Sequence, residues 1–183
     1  KITLFDGSDV SRLKFYVKDD AGGVWSVEDG VIHCTGKPYG YVRTRERFSD
    51  YKLHVEWRWV EEPGNSGILM HCQGANNVWP KCIECQLKTS RAGDFVAINF
   101  SDFKELEDKD NQYGVKERIS DSSEKPSGEW NQADIICHND TIVIYINGVL
   151  QNVATETSLT KGWIGLQSEG KPIEFRNFYV EPL

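Results

Sequence analysis

Residues 82–87 have the sequence CIECQL, a short run in which polar side chains alternate with apolar ones. An alternation with a period of two is typical of a β-strand that has one face in the core and the other face outside it. On such a strand Glu84 and Gln86 share one face, while Ile83 and Leu87 share the opposite one. The run therefore predicts a sheet whose polar face presents a carboxyl group and an amide side by side.

Runs of this kind recur along the whole chain and are rich in β-branched and aromatic residues. The pairs Asp29-Gly30 and Asn147-Gly148 stand at the ends of such runs and supply the positive φ angles that tight hairpins need. Many short strands divided by turns are typical of an antiparallel sandwich or jelly roll, and 183 residues of even composition predict one domain, residues 1–183. The predicted strands are residues 25–27, 31–34, 51–60, 67–72, 82–87, 134–138, 141–146, 162–168 and 173–182.

The charge balance excludes one class of partner. The chain has 21 Lys and Arg residues against 28 Asp and Glu residues, which gives a net charge of −7. Such a chain repels a phosphate backbone on average, so we expect no binding to nucleic acid. No apolar run approaches the roughly 20 residues that a membrane-spanning helix needs, so we expect no membrane span.

The sequence has five cysteines, an odd number that cannot pair completely. Cys82 and Cys85 have the two-residue gap of many metal and redox sites, but no second pair or group of His partners accompanies them. On a strand these two residues point to opposite faces. We therefore expect small buried or half-buried thiols, with metal or redox chemistry as the alternative. The five are Cys34, Cys72, Cys82, Cys85 and Cys137.

The same alternation places further long polar side chains on one face of three other predicted strands. Together with Glu84 and Gln86, we expect these groups to form one hydrogen-bonding surface of the kind that binds sugars. The alternative is the ordinary solvated face of an antiparallel sheet. The added residues are His54, Glu56 and Arg58 on one strand, His71 on the next, and Gln167 with Glu169 near the C-terminal end.

Three loop features are candidates for the border of that surface. Residues 101–121 are polar and strongly charged, so we expect a long surface loop there, and such loops often border a site. Trp79 lies in another predicted loop and has a ring suited to stacking on a sugar, with packing as the alternative. Asn65 follows Gly64 and is a candidate either for sugar binding or for a turn.

Nine short motifs occur in order along the chain. Each is weak alone, but nine in the right order are specific. They are Phe5-Asp6-Gly7, Trp25-Ser26-Val27-Glu28-Asp29-Gly30, Glu56-Trp57-Arg58, Gly64-Asn65-Ser66-Gly67-Ile68, Glu84-Cys85-Gln86-Leu87, Gly128-Glu129-Trp130-Asn131, Ile146-Asn147-Gly148, Gly165-Leu166-Gln167 and Phe175-Arg176-Asn177. Together they resemble the 3-keto-disaccharide hydrolase domain family, and the resemblance covers essentially the whole chain.

This resemblance implies a concanavalin A-like jelly roll of two antiparallel sheets, with the site on a concave face, in a secreted or periplasmic protein. It also implies that Glu84 to Gln86 is the counterpart of the central strand of laminarinase-type glycosidases, which carries two catalytic carboxylates. Here the second position is Gln86, which cannot ionise, so the usual pair of carboxyl groups is absent from this strand. Glu56 or Glu169 is the candidate to supply a second carboxyl group from a neighbouring strand.

A sugar oxidised at C3 relaxes the need for that pair. The ketone acidifies the C2 proton, so one base suffices to eliminate the leaving group on C1, and water adds back afterwards. Such a site needs a base, a donor to the developing enolate oxygen and an acid for the departing oxygen. We expect Glu84 or His71 to be the base, Arg58 or Gln86 to be the donor, and the other member of the first pair to be the acid.

The sequence thus favours an enzyme that cleaves glycosidic bonds of 3-keto-disaccharides or glucosides, with carbohydrate as its partner and no cofactor required. A non-catalytic sugar-binding module and an ordinary glycosidase are the alternatives, because a fold does not fix a function. The sequence indicates neither a metal ion nor an oligomeric state. The catalytic candidates are Glu84, His71 and Arg58, and the substrate-binding candidates are Gln86, Glu56, Asn65, Gln167, Glu169 and Trp79.

Overall fold

The computed structural model describes residues 1–17, 23–74 and 79–183, and within those ranges the chain forms β-strands and no helix. The strands are β1 (Ile2–Phe5), β2 (Leu13–Val17), β3 (Trp25–Glu28), β4 (Val31–Cys34), β5 (Gly40–Thr44), β6 (Tyr51–Trp59), β7 (Gly67–Gln73), β8 (Lys81–Gln86), β9 (Phe95–Ile98), β10 (Tyr113–Lys116), β11 (Asn131–His138), β12 (Thr141–Ile146), β13 (Val149–Ala154), β14 (Trp163–Ser168) and β15 (Ile173–Pro182).

These strands form two antiparallel sheets, which we call sheet I and sheet II. Sheet I has the order β13-β12-β11-β6-β15-β4-β3, with β1 paired to β15. Sheet II has the order β10-β9-β8-β7-β14-β5-β2. The apolar faces of the two sheets pack against each other into one core that draws residues from both. The predicted all-β sandwich of two antiparallel sheets is confirmed.

Alternation along the strands produces this core. In β6, the side chains of Tyr51, Leu53, Val55 and Trp57 are completely buried, while the residues between them reach the surface. Truncation of a large buried aromatic such as Trp57 typically costs about 3–5 kcal/mol, so strands of this kind contribute much of the stability.

Six observed strands lie outside the predicted set, namely β1, β2, β5, β9, β10 and β13. They are four to six residues long. β9 is buried along its whole length and has the sequence FVAI, so no alternation marks it.

The predicted long loop over residues 101–121 is wrong in part. β10 lies within it, and each of its residues pairs with β9, which makes β10 an edge strand of sheet II. Phe103 and Leu106 are buried, and the Leu106 side chain fills the space next to Gly114. β10 has only four residues, and the residues on both sides of it are polar, which explains why the whole stretch has the character of a loop.

The register of sheet II brings several polar residues to one place. In the pairing of β7 with β8, Gly67 lies opposite Gln86, two residues from Glu84. On the other side of β7, β14 brings Gln167 next to Gly67. Alternation turns these side chains away from the core, so they share the outer face of sheet II.

Candidate active site

A cavity of about 230 Å³ opens on the outer face of sheet II. Its lining has a polar side, contributed mainly by β8 and β14, and an apolar side, contributed by β9, β10 and the segment before β8. Apolar walls with a few convergent polar groups are typical of a ligand site. The polar residues are Asn65, Glu84, Gln86, Gln167 and Glu169, and the apolar and aromatic residues are Trp79, Val96, Ile98 and Tyr113.

Glu84 supplies a carboxyl group that is almost completely buried, with 3% of the residue exposed. Its Oε1 atom has no hydrogen-bond partner among the residues that the structure describes. Burial disfavours the charged form and, with the nearby Glu169 carboxyl group adding to the effect, raises the pKa of Glu84 well above its usual range. This environment favours the neutral form of Glu84, which has a proton to donate.

Glu169 follows β14 and supplies a second carboxyl group to the same cavity. Burial raises the pKa of Glu169, whereas the charge of Lys88 and a hydrogen bond from Trp79 act in the opposite direction. Two nearby carboxyl groups resist being ionised together, so the pair favours one neutral and one charged member. Burial raises the pKa of Glu84 further than that of Glu169, so Glu169 is the member that ionises more readily.

Three amide side chains complete the polar side. Oε1 of Gln86 accepts hydrogen bonds from the backbone N–H groups of Leu87 and Lys88, both at 3.1 Å. Its NH₂ group therefore remains as a donor for a ligand. Oδ1 of Asn65 and Oε1 of Gln167 are buried and, within the described part of the chain, have no hydrogen-bond partner. Since buried polar atoms are nearly always paired, such a group of unpaired atoms marks a place for a polar ligand.

Gly67 lies beneath this polar side. A Cβ atom at position 67 would lie 2.0 Å from Oε1 of Glu84 and 2.8 Å from Oε1 of Gln167. Only glycine leaves room for the Glu84 carboxyl group to fold down against the sheet. The side chains of Glu84 and Gln167 therefore both lie against the backbone of Gly67.

The aromatic side of the cavity is built around Trp79. Its ring centroid lies 6.1 Å from that of Tyr39 and 6.3 Å from that of Tyr113, both in edge-on geometry. The backbone carbonyl of Trp79 accepts a hydrogen bond from Nδ2 of Asn99 at 2.6 Å, which ties the residue to the end of β9. Rings held in this way offer flat apolar surface for a ligand.

Comparison with known proteins identifies the family. The model of the 3-keto-alpha-glucoside-1,2-lyase-like domain matches residues 1–181. This chain belongs to that family. The resemblance carried by the nine sequence motifs is thereby confirmed.

Among the relatives of this chain is a 3-keto-disaccharide hydrolase of Bacteroides thetaiotaomicron. It is 29% identical over 196 residues, which cover 93% of this chain and 63% of that protein. The chain thus spans less than two thirds of this curated relative.

Two solved structures are similar in fold. A Parabacteroides distasonis protein with the provisional name of glycosyl hydrolase superposes with a TM-score of 0.74 at 23% identity, and the match covers 99% of this chain and 98% of that one. The carbohydrate-binding module CBM66 of Bacillus subtilis superposes with a TM-score of 0.67 at 11% identity, covering 97% and 96%. At these identities the likeness establishes the jelly-roll fold alone.

Two of the predicted site residues lie away from the cavity, on the other sheet. Glu56 and Arg58 belong to β6 of sheet I, whereas the cavity belongs to sheet II. Nε of Arg58 donates to Glu174 at 2.7 Å, and Glu56 accepts from Nε of Arg176 at 2.9 Å. The expectation that β6 shares a polar face with Glu84 is therefore wrong, because the two strands lie in opposite layers of the sandwich.

His71 is also absent from the cavity lining. A bulge in the β7–β8 pairing falls between Met70 and Gln73, and His71 has a φ of 56° there. Its ring is fully buried and lies edge-on to Tyr51 of the core, with centroids 6.1 Å apart. Burial lowers the pKa of His71 to about 4. The predicted alternation along β7 is wrong at this position, because the bulge turns the side chain inward.

The other predicted residues are brought together. Glu84, Gln86, Asn65, Gln167, Glu169 and Trp79 all line the cavity. The residues that the sequence did not identify are Val96, Ile98 and Tyr113, which belong to the unpredicted strands β9 and β10. The signal in the sequence for Tyr113 was its aromatic ring, which stands out in the charged stretch 101–121.

All five cysteines are free and buried, as the sequence predicted. Cys85 packs in the core between the sheets, and Cys82 packs with Leu69, Val96 and Ile98 on the other face of sheet II. The predicted opposite orientation of Cys82 and Cys85 is confirmed. In residues 1–17, 23–74 and 79–183, no cluster of three or more His, Cys, Asp or Glu side chains has the arrangement of a metal site. Over the same ranges, no helix is long and apolar enough to cross a membrane.

Proposed function

We propose that this domain cleaves glycosidic bonds of glucosides whose sugar is oxidised at C3. The observation that carries the proposal is the pair of carboxyl groups, Glu84 and Glu169, in one cavity. Their environments separate them into a neutral acid and a more readily ionised base. The name of the 29% identical relative, a 3-keto-disaccharide hydrolase, supports the same substrate class.

The two carboxyl groups divide the proton transfers between them. Glu169 takes the proton from C2, a C1–C2 double bond forms, and the C1–O bond breaks. Glu84 donates its proton to the departing oxygen, so an alcohol leaves. Water then adds to C1 and a proton returns to C2, which gives the 3-keto sugar. The net reaction is consumption of one water and release of one alcohol.

The amide groups stabilise the intermediate and hold the sugar. The NH₂ group of Gln86 is the donor for the negative charge that develops on the C3 oxygen. The unpaired oxygens of Asn65 and Gln167 accept hydrogen bonds from sugar hydroxyl groups. The 230 Å³ volume suits a single sugar ring better than a longer polysaccharide segment.

Turnover of 3-keto glucosides tests the proposal. We expect release of free 3-keto-glucose from 3-keto-trehalose and from methyl 3-keto-α-glucoside, followed by nuclear magnetic resonance. Glu84→Gln and Glu169→Gln should each lower kcat/KM by about a hundredfold or more, since each removes a proton-transfer group. Glu56→Gln, which changes a carboxyl group on sheet I, is the control and should keep kcat/KM within about threefold.

The mechanism has its own measurement. If the reaction proceeds by elimination in D₂O, the product of a reaction stopped early should carry deuterium at C2. The control is unlabelled product incubated in D₂O alone, and the deuterium content should exceed the level found there. Equal turnover of oxidised and unoxidised glucosides, without deuterium at C2, would instead establish an ordinary glycosidase. Sugar binding with no turnover of either form would establish a binding module and overturn the proposal.

A further inference from the structure

The cavity lining reaches the edge of sheet II at Tyr113. β10 is an edge strand, and its residues Tyr113 and Val115 are both exposed, at 40% and 47%. Gly114 between them faces the core, where Leu106 fills the adjoining space. Tyr113 and Val115 therefore point to the same outer face as Glu84.

The pairing register of β8, β9 and β10 connects this edge to Glu84. Glu84 pairs with Val96 on β9, and Val96 pairs with Val115 on β10. These three side chains form a row across neighbouring strands, and the strands are about 4.8 Å apart. A parallel row joins Ile98 to Tyr113. The carboxyl group of Glu84 thus stands at one end of an apolar strip whose other end, at Tyr113 and Val115, is exposed to solvent.

The chemistry of the strip differs from that of the polar side of the cavity. The side chains of Val96, Ile98 and Val115 offer no hydrogen-bonding atoms, and Tyr113 offers one hydroxyl group. Trp79 adds a second ring, inclined at 71° to that of Tyr113. A second sugar ring has hydroxyl groups on its whole perimeter, and desolvating them here without partners costs binding energy. A flat aromatic group has no such cost and gains from apolar burial.

We propose that this strip, defined by Trp79, Val96, Ile98, Tyr113 and Val115, is the leaving-group subsite and that it selects an aryl aglycone over a second sugar. The inference rests on the proposed function, because it places the departing oxygen at Glu84. It names the substrate class more narrowly, as 3-keto glucosides of aromatic alcohols.

The test compares two leaving groups within each variant, so that their different intrinsic reactivities cancel. The probes are 2-naphthyl and methyl 3-keto-α-glucosides, and the measured quantity is the ratio of their kcat/KM values. Val115→Asp should lower the naphthyl-to-methyl ratio about tenfold, since it places a charge where the ring packs. Val149→Asp changes a similarly exposed valine on sheet I and should leave the ratio unaltered. An unaltered ratio in Val115→Asp would overturn the inference.

A binding measurement tests the aromatic subsite independently of the proposed function. If the wild-type protein turns over neither probe, the proposed function fails, and calorimetry with 2-naphthyl and methyl α-glucosides decides the subsite. Tighter binding of the naphthyl compound to the wild type than to Val115→Asp supports the aromatic subsite. Equal affinities of the wild type for both compounds would refute it.

Discussion

Gly67 and Glu84 depend on each other, because the carboxyl group occupies the space that a side chain at position 67 would fill. This contact explains how a carboxyl group comes to be buried on an outer face. The backbone of β7 forms a shelf, and the absence of a side chain at Gly67 lets Glu84 lie flat on it. A substitution at Gly67 therefore acts on the candidate acid without touching it directly.

Gly67→Ala should displace the Glu84 carboxyl group and disturb Gln167. We expect the fold to persist and kcat/KM for a 3-keto glucoside to fall at least about tenfold, because misplacement of a proton donor by an ångström costs much of its effect. Gly165→Ala is the matched control on the neighbouring strand, since a Cβ there would have its nearest neighbours at 3.4 Å. Comparable activities of the two variants would contradict the proposed role of Gly67.

At the scale of the element, β7 combines two functions in seven residues. Its first residues form the shelf for the cavity, and its bulge turns His71 into the core, where the ring meets Tyr51. Close contact at Gly162 accompanies this bend, since a Cβ there would lie 2.4 Å from the His71 backbone. One strand thus supports the site at one end and closes the sandwich at the other.

His71→Asn tests this division, since asparagine tolerates a positive φ and cannot ionise in this range. We expect the variant to be less stable than the wild type by about 1–3 kcal/mol at pH 7, because buried contacts are lost. Its kcat/KM should nevertheless stay within about threefold of the wild-type value at a temperature where both are folded. A hundredfold loss of kcat in the folded variant would restore His71 as a catalytic residue.

At the scale of the whole molecule, the two outer faces of the sandwich differ in how their polar groups are paired. On sheet I, the guanidinium groups of Arg58 and Arg176 lie 4.7 Å and 4.0 Å from the ring centroid of Trp130, and both also donate to carboxylates. On sheet II, Glu84 and Gln167 keep oxygens that lack partners within the described residues. Internal pairing indicates a structural face, and unpaired buried atoms indicate a ligand face.

Two buried groups also give the whole molecule a pH dependence of stability. The pKa of Glu84 is raised from its ordinary value of 4.5, so stability is lost as the pH rises above about 4.5 toward the folded-state value. The pKa of His71 is lowered from 6.5 to about 4, so stability is lost as the pH falls from about 6.5 to 4. Each contributes at most about 1.4 kcal/mol per pH unit, and the two slopes have opposite signs where their pH ranges overlap.

Urea denaturation of the wild type, Glu84→Gln and His71→Asn from pH 4 to 8 measures both slopes. The unfolding free energy of Glu84→Gln, minus that of the wild type, should increase as the pH rises above about 4.5. The corresponding difference for His71→Asn should increase as the pH falls below about 6.5, by about 3 kcal/mol in all. A difference for Glu84→Gln that stays constant across pH 5–8 would refute the buried neutral carboxyl group.

The sequence by itself determined the β class, the family and six of the nine residues that line the cavity. Alternation of side chains is a local property, so it identified the outward faces of β6, β8 and β14 without knowledge of the fold. It also paired Glu84 with Gln86, because their spacing along one strand is fixed by backbone geometry.

Only the tertiary structure decided which of these faces meet. Strand pairing is non-local, so the sequence could not place β6 in sheet I and β8 in sheet II. Nor did it reveal the bulge that turns His71 inward, since one extra residue shifts the alternation without any marker of its own. The second carboxyl group of the site is Glu169 rather than Glu56 for the same reason: β14 adjoins β7 in sheet II, and β6 lies in the opposite layer.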